Sequence, residues 1–435
     1  MSLAGSLDAH FPNSRTKRLA VVRDHGVIIG TLFVAAFAFA MDANFRVVEA
    51  EDQQQFDWQI MMRLGLCGVC GLYGLWNLPY TQRELFRFPG AWLTLFGAWA
   101  AVTVPFAENV EYAAVACMAL WCVILFAPAL LVNVPREAIT WASFFALLLF
   151  VVLCWFVFFA IPSLGRDPYL EGAMGGRIRL GGLHQPNGTG RQAALFAGLL
   201  FATPLFTRRK VLFVMLLALA AITILATGSR TSLVALVAIS GMFVIRKFSF
   251  STFVILTSIS LIVVCLVISA WAAGAFRVDG TAVAEGISRD GDAEEATSLA
   301  GRTPLWEFAL IKTAKSPVFG CGYECSRFVI TRDHFWPTFH AHNLLLDVMM
   351  CTGLIGGGLL IAMILSTIVS ALGRPAGLPD YLLMLVFVLG ISDLVMLTPI
   401  ANSYTLLWAV AMFWRQIPDA AGEYEHEGDK EVAHA

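Results

Sequence analysis

Residues 337–357 read PTFHAHNLLLDVMMCTGLIGG, with two histidines, His340 and His342, set directly against an apolar run. The run continues to about residue 369 with Asp347 as its one charged side chain. At 1.5 Å per residue, such a helix is long enough to cross a hydrocarbon layer of about 30 Å. Titratable imidazoles at the end of a membrane helix pose two questions. Which side of the membrane does that end face, and what else gathers there?

Composition extends this reading to the whole chain. Of 435 residues, 58% are hydrophobic and 14% charged, and the mean hydropathy is +0.73. Soluble domains carry about 25% charged residues, so this chain lacks the polar side chains to cover a water-soluble particle. Apolar blocks fall at 26–41, 58–78, 89–106, 112–132, 141–163, 192–206, 211–227, 231–245, 251–274, 343–369, 381–398 and 403–415. They predict an all-α polytopic membrane protein with about twelve transmembrane helices. The net charge of −2 says little about partners, because the location of charge matters more here than its sum.

Orientation follows from the basic residues of short loops. Arg15, Lys17, Arg18 and Arg23 precede the first block, which reads as a retained signal anchor. Arg83, Arg87, Arg136, the Arg208–Arg209–Lys210 run, Arg246, Lys247 and Arg374 fall on the same side. Loops 42–57 and 107–111 lean acidic. Both chain ends are therefore expected in the cytoplasm. The chain divides into a cytoplasmic segment (1–25), nine spans (26–275) with an outer segment at 165–191, a large outer loop (276–342), three spans (343–415) and a charged tail (416–435) expected to be disordered. Within the large loop, residues 290–297 read as an acidic loop. Residues 303–315 predict a short helix, with Leu305, Trp306, Phe308, Leu310 and Ile311 at helical spacing and Pro304 in its first turn.

Nine cysteines are scattered along the chain. Cys67 and Cys70 form a CxxC inside a predicted span, where buried thiols are expected rather than a redox or zinc site. Cys321 and Cys325 lie in the outer loop, where a disulfide can form if the compartment oxidises.

Arginines recur where the outer face should be poor in them. Arg177, Arg179 and Arg191 frame GGRIRLGGLHQPNGTGR, Arg230 sits in the ATGSRTS turn, and Arg302 opens the loop helix. Snorkelling to headgroups is the plain alternative, and it suits Arg46 and Arg63 better than Arg230, which is held in a turn. Guanidinium is a planar, permanently charged fork that matches phosphate oxygens. Helix N-termini near Arg191, Thr231 and Asn343 would add N–H donors. The set predicts a membrane-embedded phosphate or pyrophosphate ligand, approached from the outer leaflet. Helix N-termini and arginines both disfavour imidazolium, so His342 is well placed to accept a proton; the alternative is a histidine that only caps its helix. His340, two residues away, is expected to point elsewhere.

No metal or other cofactor is expected, and no nucleic-acid partner. His334, His340 and His342 lack a cysteine or carboxylate that completes a tetrahedral set by spacing. Glu49, Glu51 and Asp52 could suggest a metal-dependent glycosyltransferase, but such a run usually lines a solvated surface. The Asn187-Gly-Thr sequon reads as part of the proline–asparagine segment.

The ordered set HQPNGTGR, GSRT, RTPLWEFAL with KSPVFGCGY, and HAHNLLLDVMMCTGLIGG resembles the bacterial O-antigen ligase and polymerase superfamily, which includes protein O-oligosaccharyltransferases. The motifs cover about residues 175–360. The resemblance implies a GT-C-like glycosyltransferase of the Gram-negative inner membrane. Its donor would be a glycan on undecaprenyl pyrophosphate, and its acceptor the lipid A-core, met at the periplasmic face. It also implies His342 as catalytic base and Arg230 and Arg302 as pyrophosphate ligands; Arg191, after the proline–asparagine segment, joins them. Arg177, Arg179, Asn187, His340 and Asn343 are supporting residues. The glutamate often found after the family's HN motif is absent, leaving Asp347 and Asp393 as the carboxylates near His342.

Polymerase and protein O-oligosaccharyltransferase differ from ligase only in acceptor. A transporter of lipid-linked oligosaccharide is the reading from another class. Transporters place ionisable groups at mid-bilayer, whereas the centres of most spans here carry none.

Overall fold

A computed structural model of the protein describes residues 14–43, 58–166, 178–247, 302–334, 338–371, 377–391, 393–398 and 401–419. Among these residues the structure is helical, with one isolated bridge between Arg166 and Leu180. Helices longer than four residues are α1 (Ser14–Ala40), α2 (Trp58–Trp76), α3 (Gly90–Thr103), α4 (Val110–Asn133), α5 (Arg136–Ala160), α6 (Pro186–Ala202), α7 (Lys210–Thr227), α8 (Arg230–Lys247), α9 (Arg302–Lys315), α10 (Ser326–Asp333), α11 (Leu344–Ala371), α12 (Leu378–Gly390) and α13 (Ser403–Phe413).

By length and composition, α4, α5, α7 and α11 can each cross a membrane, and shorter apolar helices accompany them. The chain is a multi-pass membrane protein. The expected span at 251–274, the acidic loop at 290–297, Arg46, Glu49, Glu51, Asp52, Arg177 and residues 420–435 lie outside the described residues.

Apolar character on all sides drives a helix to the centre of a bundle. α13 is buried along its whole length, and α6 nearly so, with α5, α7, α8 and α12 packed around it. α7 is the opposite case: only 28% of it is buried, and Val211, Val214, Met215, Ile222 and Leu225 face outward. These exposed side chains suit hydrocarbon. Cys67 and Cys70 are buried free thiols, as their place in an apolar helix requires.

Two element boundaries differ from expectation. α6 begins at Pro186 rather than at 192, because proline at the first helical position costs no hydrogen bond. Asn187 and Arg191 therefore ride on a helix rather than in a loop. The span expected at 343–369 is broken at Gly353, whose φ of 71° and ψ of −173° are not helical. The segment between α9 and α10 fills the break: Leu354 N–H donates to Pro317 O at 2.7 Å and Cys321 N–H to Met350 O at 2.9 Å. Trp99 Nε1 donates to Thr352 O at 2.8 Å. Irregular backbone deep in a membrane protein survives only where protein satisfies it. A Cβ on Gly353 would lie 2.1 Å from Val318 O, so glycine is required for this docking.

Candidate active site

The start of α6, the end of α7, the start of α8, the start of α11 and the end of α12 meet at one end of the bundle. There Arg191 Nη1 lies 2.6 Å from Asp393 Oδ2, and Tyr404 Oη donates to Arg191 O at 2.6 Å. The other Asp393 oxygen faces both histidines, with Oδ1 3.6 Å from His340 Nε2 and 3.7 Å from His342 Nδ1. Burial alone would raise the Asp393 carboxyl, but Arg191 and the two imidazoles hold it well below the usual carboxylate range. It is an anion at any working pH.

The two imidazoles can be told apart. His340 and His342 have ring centroids 4.2 Å apart, edge to face, which corrects the expectation that His340 points elsewhere. His340 Nδ1 accepts the backbone N–H of His342 at 3.2 Å, so in the neutral ring the proton sits on Nε2, facing Asp393. Burial first, and then the Arg191 and Arg302 guanidiniums, push His340 down to about 3 against the pull of Asp393. His340 is thus a neutral, fixed spacer. His342 adopts φ +49°, a left-handed conformation uncommon for a non-glycine residue and of the kind found at functional sites. Its Nε2 lies 3.0 Å from Thr338 Oγ1. With Nδ1–H toward Asp393, Nε2 is the acceptor for that hydroxyl.

Asp347, one of two carboxylates considered for His342, instead accepts the Ala341 N–H at 2.8 Å, shaping the loop from below. Asn343 is the helix cap: its Oδ1 accepts Leu346 N–H and its Nδ2 donates to Ile391 O, both at 3.0 Å. The carboxylate that faces the His342 ring is Asp393.

Arg302 opens α9, is half-buried, and is close enough to act on His340 electrostatically. Arg230 starts α8, half-buried beside the buried Ser229–Ser232 hydroxyl pair at 2.8 Å. Arg179 belongs to the scaffold of that turn, with Nε donating to Thr227 O at 2.7 Å and Nη2 to Asn187 Oδ1 at 3.0 Å. Gly190 brings the turn against α6: a Cβ there would meet Ser229 Cβ and Thr227 Oγ1 at 2.8 Å. Arg179 and Asn187 therefore hold the turn that positions Arg230.

Two members were not singled out from the sequence. His184 sits within HQPNGTGR and is pushed down to about 3, by burial first and then by Arg191 and Arg63. Its Nδ1 accepts Gln185 N–H at 2.7 Å. Arg63, expected to snorkel, donates to Ala43 O at 2.7 Å and faces Asp42 and His184. The available signal was a histidine and an arginine at helix ends on the Arg191 side.

His340, His342 and Asp393 offer donor atoms within 4.8 Å of one another, so Asp393 supplies the carboxylate that spacing did not reveal. A divalent ion there would have to share Asp393 with the Arg191 guanidinium, and Arg302 adds further positive charge. Like-charge repulsion opposes a dication. Cys321 and Cys325 form a disulfide, and Cys351 Sγ lies 3.8 Å from Cys325 Sγ.

A helical membrane protein with a histidine–carboxylate–arginine site at one end of its bundle is the class these features define. Residues 213–361, about a third of the chain, match the family model described as O-antigen ligase, which supports membership of the O-antigen ligase superfamily. The matched stretch takes in Arg230, Arg302, His340 and His342 and leaves out Arg191 and Asp393. A search of curated proteins finds no match.

Proposed function

We propose that this protein is an O-antigen ligase, an inverting and metal-independent glycosyltransferase of GT-C-like architecture with about twelve spans. It moves a glycan from undecaprenyl pyrophosphate to lipid A-core at the periplasmic face of the inner membrane. The observation that carries this reading is the position of His342: its Nδ1 lies 3.7 Å from an Asp393 carboxylate oxygen, and its Nε2 lies 3.0 Å from the Thr338 hydroxyl.

An acceptor-sugar hydroxyl takes the place of the Thr338 hydroxyl at Nε2. Its oxygen bonds to the anomeric carbon of the donor as its proton passes to His342. The anomeric C–O bond breaks, and its electron pair leaves with the pyrophosphate. One displacement inverts that carbon. Proton removal by a placed base contributes about 10²–10⁴-fold. Arg191, Arg230 and Arg302 neutralise the departing pyrophosphate, and such electrostatic stabilisation is usually the largest contribution. Pyrophosphate leaves readily, so no general acid is needed. The Cys321–Cys325 disulfide fits an oxidising compartment such as the periplasm.

The test is a strain lacking this protein. Lipid-linked polymer should persist while polymer on lipid A-core disappears, and purified protein in proteoliposomes should restore the transfer. Loss of long lipid-linked polymer instead would make the chain a polymerase.

A further inference from the structure

At the opposite end of the bundle, where α5 and α12 begin and α6 and α8 finish, lies an open cleft of about 640 Å³. Small-molecule sites occupy roughly 300–1,000 Å³. The charged residues lining it are Arg136, Arg208, Arg246, Lys247 and Glu137, four cations against one anion. Nearby carboxylates are engaged elsewhere: Asp380 is paired with Arg415 at 2.9 Å, and Asp419 accepts the Arg136 backbone N–H at 3.3 Å. The transfer chemistry uses none of these groups.

The remaining wall is aromatic. Phe243 stacks on Phe201 with centroids 4.7 Å apart and meets Phe206 edge-on at 5.1 Å, and Tyr381 lies 5.7 Å from Phe201. Lys247 Nζ lies 5.8 Å from the Phe206 ring centroid, over its face, so the ammonium meets the aromatic wall in a cation–π contact. Close by in the chain, Val211, Leu212 and Ile245 are exposed at 75%, 44% and 45%. A cationic cleft thus runs into an outward-facing apolar surface.

We propose that this cleft binds an anionic phospholipid of the leaflet at that end, with its phosphate among Arg208, Arg246 and Lys247 and its acyl chains along α7 and α8. Basic pockets between membrane helices at the cytoplasmic side suit such headgroups. A soluble phosphate would use the cations but not the apolar continuation. The site rests on the chain spanning a bilayer and not on the transfer reaction, so either can fail without the other.

Native mass spectrometry of the full-length protein in detergent tests it, with phosphatidylglycerol as the probe, phosphatidylethanolamine as the zwitterionic control and glycerol 3-phosphate as the chainless competitor. Phosphatidylglycerol should be retained at least fivefold more than phosphatidylethanolamine. Arg246→Gln/Lys247→Gln should abolish the preference, while Arg246→Lys/Lys247→Arg, which keeps charge and fold, should preserve it. Equal retention of both lipids by the native protein, or an unchanged preference in the glutamine variant, overturns the proposal. Displacement by millimolar glycerol 3-phosphate would make this a soluble-phosphate site, and weak binding that strengthens on Glu423→Gln/Glu425→Gln/Glu427→Gln would assign the cleft to the acidic tail; each also overturns it.

Discussion

The Arg191 guanidinium and the Asp393 carboxylate lie 2.6 Å apart, and the free side of that carboxylate faces His340 and His342 at 3.6 and 3.7 Å. One carboxylate thus links Arg191 to both imidazoles, the arginine and the base of the proposed mechanism. Asp393→Asn keeps the shape and removes the charge. Transfer kcat should fall by about 10²-fold, the cost of misplacing a reacting group by an ångström, with donor KM changed less than threefold. Asp393→Glu should recover part of the rate. Equal losses in kcat and donor affinity in all variants would make Asp393 a structural residue only.

His342→Ala should abolish transfer, a loss on the order of 10²–10⁴-fold, while leaving donor binding near native. Turnover and donor affinity of the purified protein are measured side by side. Near-native turnover would remove the base role, and lost affinity would recast His342 as a binding residue. His340→Ala should weaken binding and rate together, because its Nδ1 fixes the His342 backbone.

The helices were legible because apolar runs of about 20 residues admit few alternatives in a bilayer. α9 was legible too: Leu305 and Ala309 are fully buried at helical spacing, as an amphipathic helix requires. That His342, Arg191 and Arg302 gather at one end of the bundle could be read from residue type and position at helix ends. The pairing of Asp393 with the histidines could not, because a turn after α12 brings it back from far along the chain, and Asp347 was nearer in sequence. The early start of α6 was hidden by polar residues that face protein, not water: Thr189 and Gln192 are buried. Hydropathy reads such a segment as a loop.

Acid should destabilise the protein by forcing charge onto two buried imidazoles. His340 and His184 are held at about 3 in the folded protein, whereas in the unfolded chain they titrate near 6.5. Between those values the unfolded state binds more protons, so stability rises with pH. It should therefore be fully present above about pH 7 and fall progressively as pH drops from 6.5 toward 3. Thermal unfolding in detergent, followed from pH 8 to pH 4, should show this decline, with a shallower slope for His340→Asn. An identical slope in that variant would show that His340 does not carry the effect.

Arg230→Lys and Arg302→Lys retain charge but lose the bidentate fork that suits a pyrophosphate. Both should be impaired by at least tenfold in kcat/KM in the reconstituted assay. Rates close to native in both would mean that these residues contribute only general positive potential. Arg179→Lys should act indirectly: Arg179 ties Thr227 O to Asn187, so its loss should lower thermal stability as well as rate.

Metal dependence separates the arginine mechanism from its strongest rival. His340, His342 and Asp393 can converge on an ion, with donor atoms within 4.8 Å of one another. Binding it would break or dilute the 2.6 Å Arg191–Asp393 pair and set a dication beside Arg191 and Arg302, at an energetic cost that grows in a partly buried, low-dielectric site. It would also occupy the His342 nitrogen that faces Asp393 and cancel the anion's orienting effect. Guanidinium needs no metal to stay charged, because it remains protonated at any relevant pH. Transfer in proteoliposomes should therefore survive EDTA with less than a twofold change, and added magnesium or manganese should not raise it. Zinc, which favours imidazole ligands, should inhibit by capturing the histidines. Activity lost to EDTA and restored by magnesium or manganese would instead make the histidine–aspartate cluster a metal centre and remove His342 as the base.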